Sequence, residues 1–165
     1  MRAITVEKIT LNIGAGGPGA GMEKSVKLLE KISGNKPIHT ATKKRIPTWG
    51  VRPGLEIGVK VTIRGEKASI VLQKLFGGVE NTIKISKFDD MGNFSFGIPE
   101  YINMPDIEYD HDIGIMGLEV AVTLKRPGYR IRRRTIKKKS IPLSHQIKKE
   151  EAIEFIKNKF KVEVN

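Results

Sequence analysis

The sequence predicts an α+β fold: a single domain with a mainly antiparallel sheet, helices packed on one face and the other face open. Three observations lead there. Several segments alternate apolar and polar residues with a period of two. Helix-period windows fall between and after those segments. The strands are apolar on one side only, the pattern of a sheet covered on one face.

Taken in order, Ile9 to Ile13 reads as a strand, and the apolar phase shifts between Val6 and Ile9, so a bulge or strand start is expected near Glu7. Met22 to Ile32 follows as a helix with Met22, Val26 and Leu29 on one stripe and Ser25, Leu28 and Ile32 beside it. Leu55 to Ile63 is the clearest strand, with Leu55, Ile57, Val59, Val61 and Ile63 on one face. Glu66 to Phe76 is a helix that gathers Ala68, Val71, Leu72 and Leu75 and stops at Gly77-Gly78. Asn81 to Ile85, Asn93 to Ile98 and Gly117 to Leu124 read as further strands. Lys148 to Phe160 closes the series as a helix with Ala152, Phe155, Ile156 and Phe160 inward. Its early Glu150 and Glu151 and late Lys157 and Lys159 suit the helix dipole. No linker separates two cores, so residues 1–165 read as one domain carrying a basic loop at 42–54 and a basic insertion at 125–144.

The outward positions, Thr10, Asn12, Glu56, Gly58, Lys60, Thr62, Thr82, Lys84, Asn93, Ser95 and Gly97, form a flat polar face. Such a face is either plain solvated sheet or a surface that a sugar–phosphate backbone can approach closely. Charge bears on the choice. The net charge is +12 with 39% hydrophobic and 29% charged residues, which suits a folded polyanion binder. Phe88 to Leu124 holds eight acids and no Lys or Arg, whereas Lys125 to Lys139 holds nine Lys or Arg in fifteen positions and no acid. So dense a basic block needs solvent or a polyanion beside it. No apolar run approaches the roughly 20 residues of a membrane span, so no membrane partner is expected. Cysteine is absent, which removes disulfides and thiolate metal ligands, and the chain reads as intracellular.

Motifs for catalysis are weak. Gly14, Gly16 and Gly19 fit G-x-G-x-x-G, but Ser33 to Lys44 lacks the acid a dinucleotide fold requires, and Pro18 removes an amide from the loop. A flexible glycine connection is the better account. Asp106, Glu108, Asp110 and Asp112 alternate, yet His111 stands where a calcium loop needs glycine and Gly117 where it needs glutamate. A solvated edge, a metal site and a face for a basic protein remain open for them, the first being favoured. His39, His111 and His145 show no ligand spacing. No enzyme chemistry, cofactor or metal is expected.

Two basic segments fit nucleic acid. In the 42–54 loop, Lys43, Lys44, Arg45 and Arg52 surround Trp49, which either reaches outward to a base or tucks into the core edge. In the insertion, Arg130, Arg132 and Arg134 alternate with Ile131, Arg133 and Thr135 as an extended ribbon would, and Arg forks favour phosphate.

Several long motifs in order carry a family resemblance: Ile9-Thr-Leu-Asn-Ile-Gly-Ala-Gly, Ser33-Gly-Asn-Lys-Pro, Leu55-Glu-Ile-Gly-Val-Lys-Val-Thr-Ile-Arg-Gly and Gly92-Asn-Phe-Ser-Phe-Gly-Ile-Pro-Glu. Pro105-Asp-Ile-Glu-Tyr-Asp, Gly114-Ile-Met-Gly-Leu-Glu-Val and His145-Gln-Ile-Lys-Lys-Glu-Glu-Ala continue it. Together they resemble large-subunit ribosomal protein five, the universal 5S rRNA-binding family, in its archaeal and eukaryotic branch. The resemblance implies a cytoplasmic ribosomal protein whose open sheet face docks 5S rRNA in the central protuberance. It implies 23S rRNA and other 5S rRNA-binding ribosomal proteins as neighbours. Asn12, Asn35 and Thr62 match the family's polar RNA-contact positions, and Thr10 and Lys60 share the outward face. The 42–54 loop corresponds to the one that reaches toward P-site tRNA. The family also bridges to a small-subunit head protein, for which charge alone makes Asp106, Glu108, Asp110 and Asp112 the expected contact. Arg130, Arg132, Arg133 and Arg134 are expected to add rRNA contacts specific to this branch. A nucleotide-binding enzyme and a general DNA-binding module are the alternatives from other classes.

Overall fold

In the computed structural model, which describes every residue except Pro18 and Asp106, the chain runs β1 (Thr5–Gly14), α1 (Ala20–Ser33), β2 (Ile38–Ala41), β3 (Glu56–Arg64) and α2 (Glu66–Gly77). It continues through β4 (Thr82–Ile83), β5 (Phe94–Ile98), β6 (Leu118–Lys125), α3 (Lys149–Phe160) and β7 (Glu163–Val164). Five strands make an antiparallel sheet in the order β2-β3-β1-β6-β5. The expected α+β architecture is therefore present.

The period-two pattern decides which side is covered. Ile9, Leu11 and Ile13 of β1, Val59, Val61 and Ile63 of β3, and Leu118, Val120, Val122 and Leu124 of β6 are all buried. They join Leu28 and Leu29 of α1, Leu72, Leu75 and Phe76 of α2, and Ala152 and Ile156 of α3 in one core. Each buried Val, Leu, Ile or Phe side chain among them contributes about 1.5–3 kcal/mol by leaving water. Phe76 anchors the far end, stacking on Phe96 at 5.5 Å and meeting Phe160 edge-on at 5.4 Å. At Glu7 the β1–β6 register shifts between Val6 and Lys8, so the bulge expected there exists inside a continuous strand.

Two sequence expectations change. Residues 81–85 do not extend the main sheet: only Thr82 and Ile83 are strand, paired in parallel with β7 in a separate two-stranded sheet. Glu80 and Asn81 both take a left-handed backbone conformation (φ 54) after α2, which turns the chain away from the larger sheet. Thr82 and Lys84 accordingly leave the open face. The basic insertion is no extended ribbon either. Gly128 (φ 97) starts a short 3₁₀ turn over Tyr129–Arg132, because Tyr129 is drawn into the core and the chain must coil to bury it.

Glycine is required at Gly58. A Cβ there would lie 2.8 Å from the Ile13 carbonyl and 3.0 Å from Thr40 Oγ1, so a side chain would wedge β1, β3 and β2 apart.

Candidate nucleic-acid interface

Register builds the open face. Across the sheet one row runs Ile38, Lys60, Asn12, Glu119, Gly97, and the next runs Thr62, Thr10, Ala121, Ser95. Asn12, Thr10, Lys60 and Thr62 thus meet as cross-strand neighbours at the centre, as the alternation predicted. Asn35 does not join them. It lies half-buried in the turn after α1, where its N–H donates to Ser33 Oγ at 3.1 Å. Asn93 is committed inward: its Oδ1 accepts the Leu124 N–H and its Nδ2 donates to Asp89.

Glu119 is a residue of the face that the outward positions of the sequence left out. Its carboxylate accepts a 3.3 Å hydrogen bond from Asn12 Nδ2, placing an acid in the middle of the polar face. The alternation of Leu118, Val120, Val122 and Leu124 already carried the signal, since it turns Glu119, Ala121 and Thr123 outward. Asn12 and Glu119 line both of two shallow depressions, of about 490 and 420 Å³. Around them Gly97 has nothing within 4 Å of where a Cβ would be, so backbone can be reached directly.

The 42–54 loop is internally tied. Ile46 and Val51 exchange backbone hydrogen bonds of 2.9 and 3.1 Å, and Thr42 Oγ1 donates to the Arg52 carbonyl at 2.8 Å. Pro47–Trp49 form a 3₁₀ turn closed by Gly50, while Val51 is buried beneath. Trp49 is 76% exposed, so it points outward instead of entering the core. Lys43, Lys44, Arg45 and Arg52 are exposed around it.

The insertion is anchored by some of its own cations. Arg126 is buried, with Nη1 donating to the carbonyls of His145 (3.3 Å) and Gln146 (3.1 Å) and Nη2 to Glu151 (2.7 Å). Arg133 pairs with the buried Glu7 at the β1 bulge. Arg134 Nε donates to the Lys137 carbonyl at 2.9 Å. Arg130 and Arg132 are exposed and make no ion pair among the described residues. Two of the block's charges therefore hold the fold, and the count of nine overstates what faces outward.

Among the described residues 107–112 no strand forms. Asp110 Oδ1 accepts the Asp112 N–H at 3.1 Å and Oδ2 meets Lys31 Nζ at 3.4 Å. The Asp112 N–H, with Lys31 adding to it, holds the Asp110 carboxyl below the ordinary aspartate value. Glu108 and Asp112 are exposed, and Asp106 lies outside the described residues. No metal-binding cluster occurs among the described residues. The glycine loop gives two of its amides to the protein itself, since Ala15 and Gly16 both donate to the Ile57 carbonyl. Pro18, whose missing amide weakens the dinucleotide pattern, is outside the described residues. Among the described residues no helix is long and apolar enough to cross a membrane.

Comparison with known proteins agrees over nearly the whole chain. Residues 1–52 match the family described as ribosomal protein L5, and residues 56–155 match the model for the C-terminus of the same ribosomal family. A large ribosomal subunit protein uL5 from Nanoarchaeum equitans is 48% identical over 99% of this chain and 97% of its own length. Its counterpart from Sulfurisphaera tokodaii is 48% identical over 99% and 93%. That from Methanosphaera stadtmanae is 42% identical over 96% and 95%.

Proposed function

The chain belongs to the ribosomal protein L5 family, and on that premise we propose that its open sheet face docks 5S rRNA and helps attach it to 23S rRNA in the central protuberance. Membership makes it a structural, non-enzymatic component of the large subunit that associates with rRNA in the cytoplasmic ribosome.

The carrying observation is the central row Lys60, Asn12, Glu119, Gly97, in which Lys60, Glu119 and Gly97 are exposed and Asn12 is half-buried. Exposed cations supply phosphate affinity that is blind to sequence, and the hydrogen-bonding face supplies fit to a folded RNA. Thr10, Thr62 and Lys60 extend that face, and Arg130, Arg132 and the exposed parts of Arg133 and Arg134 add rRNA phosphate contacts beyond it. Asn35 sits at one edge, in the turn that leads into β2. Within a single domain of residues 1–165, the 42–54 loop with Trp49 at its tip reaches P-site tRNA. Glu108, Asp110 and Asp112, with Asp106, face a basic protein of the small-subunit head. Other 5S rRNA-binding ribosomal proteins complete the neighbourhood.

Competition at matched salt tests this reading against a general DNA-binding module. Labelled 5S rRNA bound to the protein should resist unlabelled duplex DNA at concentrations where unlabelled 5S rRNA displaces it. Equal displacement by both would overturn the proposal.

A further inference from the structure

Beyond the sheet face, a cleft of about 410 Å³ lies where the basic insertion folds back over the end of β6. Clefts of roughly 300–1,000 Å³ take small ligands. Its floor is apolar: Leu124, Tyr129, Ile141 and Ile147 are buried, and Met91 is at the mouth, 53% exposed. Arg132, Lys138 and Lys139 also line it and pair with no carboxylate among the described residues.

The walls are fixed before anything binds. The Tyr129 hydroxyl accepts the Ile147 N–H at 3.0 Å and donates to the His145 carbonyl at 3.3 Å. His145 meets the Tyr129 ring edge-on and donates Nε2–H to the Pro127 carbonyl, which can only accept. Asn93 is fully engaged, on Asp89 and the Leu124 N–H, and Gln146 gives its Nε2–H to the Ile141 carbonyl. What remains is an apolar slot with three cations, to which the Ser140 hydroxyl and the Gln146 Oε1 add two small polar groups.

That pairing has a definite complement: a flat, weakly polar ring covalently joined to an anion. The geometry points to a socket for a single unstacked nucleotide of RNA, its base against Tyr129, Leu124 and Ile141 and its phosphate on Arg132, Lys138 and Lys139. Unpaired nucleotides are the parts of folded RNA that proteins take out of the stack. The inference rests on the RNA-binding reading but concerns a different surface, so each can fail alone.

The test is an NMR titration of the full chain with methyl-labelled Met, Leu and Ile. The four ribonucleoside 5′-monophosphates, the four nucleosides and inorganic phosphate are separate arms. At least one nucleotide should shift the Met91, Leu124 and Ile141 methyls together and saturably. Its nucleoside should bind about tenfold more weakly, having lost the charge-assisted hydrogen bonds. Inorganic phosphate should leave the methyls unmoved. Met91→Glu, at an exposed position, should abolish the shifts while the methyl spectrum stays dispersed. The double variant Lys138→Ala/Lys139→Ala should weaken the nucleotide to the level of its nucleoside. Silence of these methyls toward all four nucleotides overturns the socket, even if 5S rRNA still binds. So does an equal response to phosphate alone, or tighter binding of an N-acetylated Asp-Phe peptide, which would make the cleft a protein contact. Loss of 5S rRNA selectivity over duplex DNA in the unmodified protein would instead sink the sheet-face proposal and leave the methyl readout standing.

Discussion

Arg126 and Glu151 form a 2.7 Å ion pair that ties the start of the basic insertion to the first turn of α3. Arg126 is buried, whereas Glu151 is 37% exposed. Glu151 also accepts the Lys148 N–H at 3.0 Å, so one carboxylate caps the helix and neutralises a buried guanidinium.

Removing it should be costly. Glu151→Ala leaves Arg126 without its counter-ion and is expected to destabilise by roughly 1–3 kcal/mol, below the usual value for a fully buried pair because Glu151 is partly solvated. Urea unfolding monitored by far-UV circular dichroism measures this. An unchanged midpoint would mean that the pair contributes nothing.

The same carboxylate predicts an acid response. The Lys148 N–H first, and Arg126 after it, hold Glu151 below its ordinary value of 4.5. A depressed folded pKa means that the unfolded chain takes up the proton first. The stabilisation is complete above 4.5 and is lost as pH falls through the lower folded value. Glu151→Gln should therefore lose less stability than the parent between pH 5 and pH 3, as thermal melts at stepped pH would show. Parallel loss in both proteins contradicts the assignment.

Gly58 holds β3 close to the end of β1 and to the edge strand β2 by close packing. Gly58→Val should cost about 1–3 kcal/mol through overpacking against the Ile13 carbonyl and Thr40. Gly97→Ala, where space is open, should be close to neutral, and comparing their denaturation midpoints checks the contrast.

In the loop, Arg45→Ala and Trp49→Ala should leave stability within about 0.5 kcal/mol, because both side chains are exposed. They should also spare 5S rRNA affinity while weakening tRNA-dependent behaviour of assembled ribosomes. Loss of 5S rRNA binding would assign the loop a different role.

Local pattern made most of the fold legible. The alternation in 55–63 is a property of nine adjacent residues, and β3 follows it closely. β2 escaped because it is four residues long at a sheet edge with no buried position. β4 and β7 are two residues each and exist only through each other, across most of the chain's C-terminal half. The open face was legible strand by strand, but that Asn12 meets Glu119 depends on register between β1 and β6, which no local window contains. Charge counting likewise could not tell Arg126 and Arg133, which pair inside the protein, from Arg130 and Arg132, which do not.

On the proposed reading, the hydrogen-bonding rows of the sheet, and not the basic block alone, bind 5S rRNA. The most direct measurement of this is the 5S rRNA dissociation constant of the double variant Asn12→Ala/Thr62→Ala, with urea unfolding as a control. Each lost hydrogen bond is worth about 0.5–1.5 kcal/mol, so the expected result is an affinity roughly tenfold weaker with an unchanged salt dependence and an intact fold. Parental affinity in a folded double variant would contradict the claim.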